Sequence, residues 1–144
     1  MLIVTVAIYA SGIATGLLVA MKLDEVEPTP TPFAYPTGEQ VLAELQKYRV
    51  SEGLPEFQLS ETLCDNLVER WQTYHYTNSH AGLQEFVNRE YPGMEVAEIA
   101  VAGETAQEMV KKWSESPGHR LGIHNYSKIC VYSNKGSSVA MLSN

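Results

Sequence analysis

The sequence predicts an α+β fold, three or four helices packed on a small antiparallel sheet and preceded by an N-terminal transmembrane helix. Three observations carry this. Two Thr-x-x-Glu/Gln starts, at Thr37 and Thr105, each open a run of apolar residues at helical spacing. Lys128 to Tyr132 and Ser138 to Leu142 read as two strands around Asn134-Lys135-Gly136, a hairpin. Leu2 to Met21 contains no charged residue, and about 20 residues rising 1.5 Å each cross the hydrocarbon layer of a bilayer.

Taken in order, residues 1–22 read as a membrane anchor or signal segment. The start has no basic n-region and Leu18-Val19-Ala20 is a poor cleavage pattern, which favours a retained anchor; cleavage would instead leave a secreted protein. Lys22 does not settle which side the chain exits. Residues 23–36 form a linker in which Pro28, Pro30, Pro32 and Pro36 alternate with threonines and favour extended polyproline conformation. Residues 37–144 form the one folded domain, long enough to bury a core of its own.

Within it, Thr37 and Gln40 cap a helix whose apolar face is Val41, Leu42, Leu45 and Tyr48, and Gly53 with Pro55 ends it. Ser60 starts a second helix through Leu63, Cys64, Leu67, Val68, Trp71, Tyr74 and His75, with His75 a packing residue. His80 lies at its exit, either as a surface residue at the helix end or as part of a site. A short helix carries Leu83, Phe86 and Val87 and stops at Tyr91-Pro92-Gly93. Val96 to Ala102 is an apolar pass with Glu98 inside it, and a carboxylate placed there needs a partner. Ala106, Met109, Val110 and Trp113 line the next helix, which stops at Pro117-Gly118 and presents His119 just beyond.

The net charge of −7 argues against nucleic acid, whose phosphates require a basic surface. There is no Gly-x-Ser-x-Gly elbow and no phosphate-cradling glycine loop, which argues against serine-hydrolase and nucleotide chemistry. Cys64 and Cys130 are too few for a cysteine zinc cluster; they either pair across the core in an oxidising compartment or remain two buried thiols.

Ser116-Pro117-Gly118-His119-Arg120 after a tryptophan-bearing helix, Ser79-His80 upstream and Glu98 between them together resemble the CAP superfamily, the SCP-like extracellular domain in its short bacterial form. Tyr48-Arg49 and Leu59-Ser60 to Leu63-Cys64 stand where that family has its first two helices. The resemblance implies an α-β-α sandwich and a cleft lined by His80, Glu98 and His119, with Glu115 as a fourth member. Ala97 replaces the family's glycine and Ile99 its asparagine beside the acid, and the family's closing aromatic strand is missing.

Two functions follow. In the first, a membrane-tethered domain outside the cytoplasm binds a cell-envelope, lipid or protein ligand in the His/Glu cleft. In the second, His80 and His119 with Glu98 hold a divalent metal such as zinc, Glu115 takes a proton from the bound water, and the domain is a metal-dependent hydrolase.

Overall fold

A computed structural model describes residues 34–144; the anchor and most of the linker expected from the sequence lie outside the described residues. The elements follow as α1 (Gly38–Ser51), β1 (Gln58–Leu59), α2 (Glu61–Cys64), α3 (Leu67–Thr77), α4 (Leu83–Glu90), β2 (Val96–Ala102), α5 (Ala106–Glu115), α6 (Pro117–Asn125), β3 (Lys128–Asn134) and β4 (Ser137–Ser143). None of the described helices is long and apolar enough to cross a membrane.

The four strands lie in the order β1-β3-β4-β2. β3 and β4 form the expected hairpin, Lys128 opposite Ser143 and Asn134 opposite Ser137. Lys135 and Gly136 both have positive φ, 45° and 74°, the combination that matches a tight turn to the twist of its strands. β2 pairs antiparallel with β4 along its whole length, Glu98 opposite Met141. The apolar pass from Val96 to Ala102 is therefore a strand. The sheet is also not purely antiparallel, because β1 adds to β3 in parallel through Gln58 and Leu59.

Side chains on a strand alternate between faces, so this sheet has two apolar sides. Ile99, Val101, Ile129, Ala140 and Leu142 face α1, α5 and α6, meeting Val41, Leu45, Met109, Trp113 and Ile123. Ala100, Cys130, Val139 and Met141 face α2, α3 and α4, meeting Leu63, Leu67, Trp71, Phe86 and Val87. This is the α-β-α sandwich. Glu98 has the parity of Ala100 and so points to the α3 side.

Three local expectations are corrected. The helix begun at Ser60 is two helices: Asn66 takes a left-handed conformation (φ 59°), which an α-helix of L-residues does not continue through, and α3 restarts at Leu67. Pro117 ends α5 but also opens α6 as its first residue, where its missing N–H and fixed φ cost nothing, so His119 sits in a helical first turn rather than in a loop. The second capping box is only half formed: Thr105 accepts from the Glu108 backbone N–H, while the Glu108 carboxylate accepts from Glu104. The first is complete, Thr37 and Gln40 satisfying each other's backbone donors.

Two features lock the layers together. Gly38 packs so closely on β3 that a β-carbon would stand 2.4 Å from the Val131 carbonyl oxygen, inside any allowed contact. Arg49, 2% exposed, donates to the carbonyls of Pro55, Ile123 and Tyr126 while its guanidinium lies 4.0 Å over the Phe57 ring. It thereby ties the end of α1 to the end of α6. On the other side of the sheet, a disulfide joins Cys64 of α2 to Cys130 of β3 with Cα atoms 5.2 Å apart.

Candidate functional site

The site forms at β2, one of the two edge strands, where residues from both helix layers come together. Glu98 rises from β2 toward α3 with its carboxylate wholly buried. Such a group must be paired or protonated. Arg70 pairs it. The guanidinium is 1% exposed and grips the carboxylate at two points, Nη2 donating to Oε1 at 2.7 Å and Nε to Oε2. The remaining Nη1 donates to the Ala81 carbonyl at 2.7 Å, which fixes the loop after α3 against the same pair.

That loop carries His80. Its Nδ1 lies 2.6 Å from Glu98 Oε1, so a proton on Nδ1 is shared with the carboxylate and Nε2 is left without a hydrogen-bond partner among the described residues. The His80 side chain is 45% exposed. His119, from the first turn of α6 in the opposite layer, brings its ring centroid to 6.1 Å from that of His80. Tyr74, one turn beyond Arg70 on α3, places its ring 6.1 Å from His80. Burial first and the nearby Glu98 charge second raise the Tyr74 pKa above its ordinary value, which keeps the phenol protonated.

His80, Glu98 and His119 thus converge. Glu115 does not join them: it is exposed at the end of α5, 3.8 Å from Lys111, and no hydrogen bond or ion pair links it to either histidine. Arg70 escaped the sequence reading, although a signal existed. It stands three residues after Leu67 and four before Tyr74, on the apolar face of α3, where a cation requires an anion.

The donor set bears on metal binding. Both Glu98 oxygens already accept from Arg70 and His80, so a centre using His80, Glu98 and His119 as three ligands would have to open the buried ion pair. Among the described residues no group of three His, Cys, Asp or Glu side chains is placed to hold an ion. The two imidazoles remain as a pair, with Glu98 orienting one of them from behind. Two recesses, of about 360 and 620 Å³, lie along α1, and neither is lined by these residues.

Burial, and then the neighbouring His80, push the His119 pKa below its ordinary 6.5. The unfolded chain therefore takes up more protons than the native one as the pH falls through about 6.5, and stability declines with it. Thermal melts at pH 7.5 and 5.5 are expected to show this loss, and His119→Asn to make it smaller. An identical pH dependence in the variant would show that His119 does not titrate in this way.

Residues 42–140 match the CAP family, described as the cysteine-rich secretory protein family. No curated protein matches the chain. Among solved structures, it resembles a cysteine-rich secretory protein from Staphylococcus aureus at 12% identity and a TM-score of 0.63, covering 74% of this chain and 37% of that one. An extracellular protein containing a SCP domain from Bacillus anthracis matches at 15% identity and 0.61, covering 74% and 39%. An outer surface protein from Borrelia burgdorferi matches at 16% identity and 0.62, covering 74% and 90%. The chain spans about two fifths of the length of the first two and most of the third.

Proposed function

From the premise that this chain belongs to the CAP family, the cysteine-rich secretory proteins, we propose that it works outside the cytoplasm, binding a cell-envelope, lipid or protein ligand in the cleft of His80, Glu98 and His119. The observation that carries the reading is the row Arg70, Glu98, His80: a buried ion pair that orients an imidazole standing 6.1 Å, ring centroid to ring centroid, from His119. Such an arrangement costs desolvation and adds nothing that an apolar pair could not supply to the core, which favours a use for the imidazole at its end.

The Cys64–Cys130 disulfide supports an oxidising compartment. Two of the similar structures are called extracellular and outer surface proteins, which points the same way. Tethering rests on the sequence of Leu2 to Met21, with the proline-rich linker as spacer at about 3.1 Å per residue. The test is binding of the full-length chain, in detergent micelles, to purified cell-wall polymer and to immobilised phospholipid. His80→Ala with His119→Ala is expected to weaken binding at least about tenfold, the loss of a hydrogen-bonded contact set. Unchanged binding would remove the cleft from the function.

A second reading, the metal-dependent hydrolase, is supported by one feature. An imidazole held by a carboxylate at one nitrogen is the usual arrangement of a metal-ligating histidine. His80 and His119 would hold the ion, which would supply Lewis acidity, and Glu98 would orient His80 rather than ligate. Zinc calorimetry on the same two variants, together with ester and peptide hydrolysis, separates this reading from the first. A zinc isotherm that survives both substitutions would end it.

A further inference from the structure

Among the described residues no group hydrogen-bonds the Tyr74 hydroxyl, although the residue is only 8% exposed. The sealed side-chain polar atoms without a partner, among the described residues, are Trp113 Nε1 and Ser143 Oγ. Tyr74 Oη is not one of them, so the small exposed part of this residue includes its oxygen. Tyr91 shows the contrast: its hydroxyl donates to the carbonyls of Leu63 and Asp65, and its pKa is pushed up to about 12, by burial above all. For packing alone, phenylalanine would serve at position 74.

The His80 ring stands with its centroid 6.1 Å from that of Tyr74, its Nδ1 committed to Glu98 and its Nε2 without a hydrogen-bond partner among the described residues. The cleft therefore offers a donor at Tyr74 and, at a neutral His80, an acceptor. Its floor carries no free charge, because Arg70 and Glu98 cancel each other under nearly complete burial. Above the range in which imidazoles titrate, an anion entering here would be desolvated without a counter-charge.

We infer that Tyr74 is a specificity-determining residue of this cleft, pairing with His80 Nε2 to select an uncharged group that accepts one hydrogen bond and donates another, a hydroxyl or an amide. The inference deepens the cleft reading above and rests on it. Tyr74 Oη–H donates to the ligand oxygen, and the ligand O–H or N–H donates to His80 Nε2. The ligand is neutral and oxygen-bearing, not a phosphate or a carboxylate.

The test follows the ring carbon-bound protons of His80 and His119 by NMR in the full-length chain, in zwitterionic detergent at pH 8. N-acetylglucosamine and N-methylacetamide are the neutral probes, acetate and inorganic phosphate the charged ones. At least one neutral probe is expected to shift both histidines, and Tyr74→Phe to weaken that response about tenfold with an unchanged melting temperature. Tyr91→Phe is expected to lower the melting temperature and leave the response intact. A response to the sugar alone assigns the group to a glycan hydroxyl, and a response to the amide alone to a peptide-type bond; either supports the inference. Anions that bind as well as the neutral probes, an unaltered Tyr74→Phe, or silence from all four would overturn it. Envelope binding lost in His119→Ala but kept in Tyr74→Phe would overturn this inference alone, whereas binding kept in both would take the cleft reading with it.

Discussion

Arg70→Met is expected to cost about 3–5 kcal/mol of unfolding free energy, the range for breaking a buried ion pair from one side. The reason is asymmetry. With Arg70 gone, Glu98 keeps its place on β2 opposite Met141, wholly buried, and must either stay charged without its guanidinium or take up a proton. The Ala81 carbonyl loses its donor in the same step, so the loop that presents His80 is loosened as well. Urea unfolding measures the cost. Combining Arg70→Met with Glu98→Met is expected to return most of the lost stability while removing the carboxylate that orients His80. A single variant as stable as wild type would mean that the pair is not buried as described.

The disulfide is the second large contribution. It closes a loop of 66 residues, and in the chain-entropy model that restriction of the unfolded chain contributes about 4 kcal/mol. Cys64→Ala with Cys130→Ala, or treatment with a thiol reductant, is expected to lower the urea midpoint by a matching amount. The two routes must agree, since both release the same cross-link. Equal midpoints for oxidised and reduced protein would show that the unfolded chain gains little freedom when the link is opened.

Where structure is decided locally, the sequence was enough to read it. The Thr37–Gln40 cap, the Asn134-Lys135-Gly136 turn and the strand through Ile129 and Cys130 each depend on neighbours within a few residues, and each is found in the fold. The break at Asn66 is also local, but a left-handed asparagine inside a continuous helical period leaves the apolar spacing almost unaltered and so gives no warning. Non-local facts were less accessible. The parallel pairing of Gln58 and Leu59 with β3 joins residues some 70 positions apart, with no pattern of its own in two residues.

The candidate site divides in the same way. Its histidines and Glu98 came from residue type and from resemblance, and the expectation that Glu98 needs a partner followed from burial alone. Which partner did not. Arg70 is visible as a cation on an apolar helix face, yet only the register of β2 against β4 and the sheet's two-sided packing bring it to Glu98. Glu115 lies close in sequence to His119, but α5 ends before α6 turns away, and it faces solvent beside Lys111.

Arg49 gives its side of the sandwich a strap that does not depend on carboxylate charge. Among the described residues no carboxylate faces it; its acceptors are three backbone carbonyls, which have no proton to gain, and burial lowers its own pKa. The strap between α1 and α6 therefore holds through an acid shock that neutralises carboxylates. Across the sheet, the loop bearing His80 hangs on Glu98, whose grip on Arg70 depends on charge. In hydrogen exchange under acid, amides at the C-terminal end of α1 should remain slow, so the frame behind the binding rim stays shut.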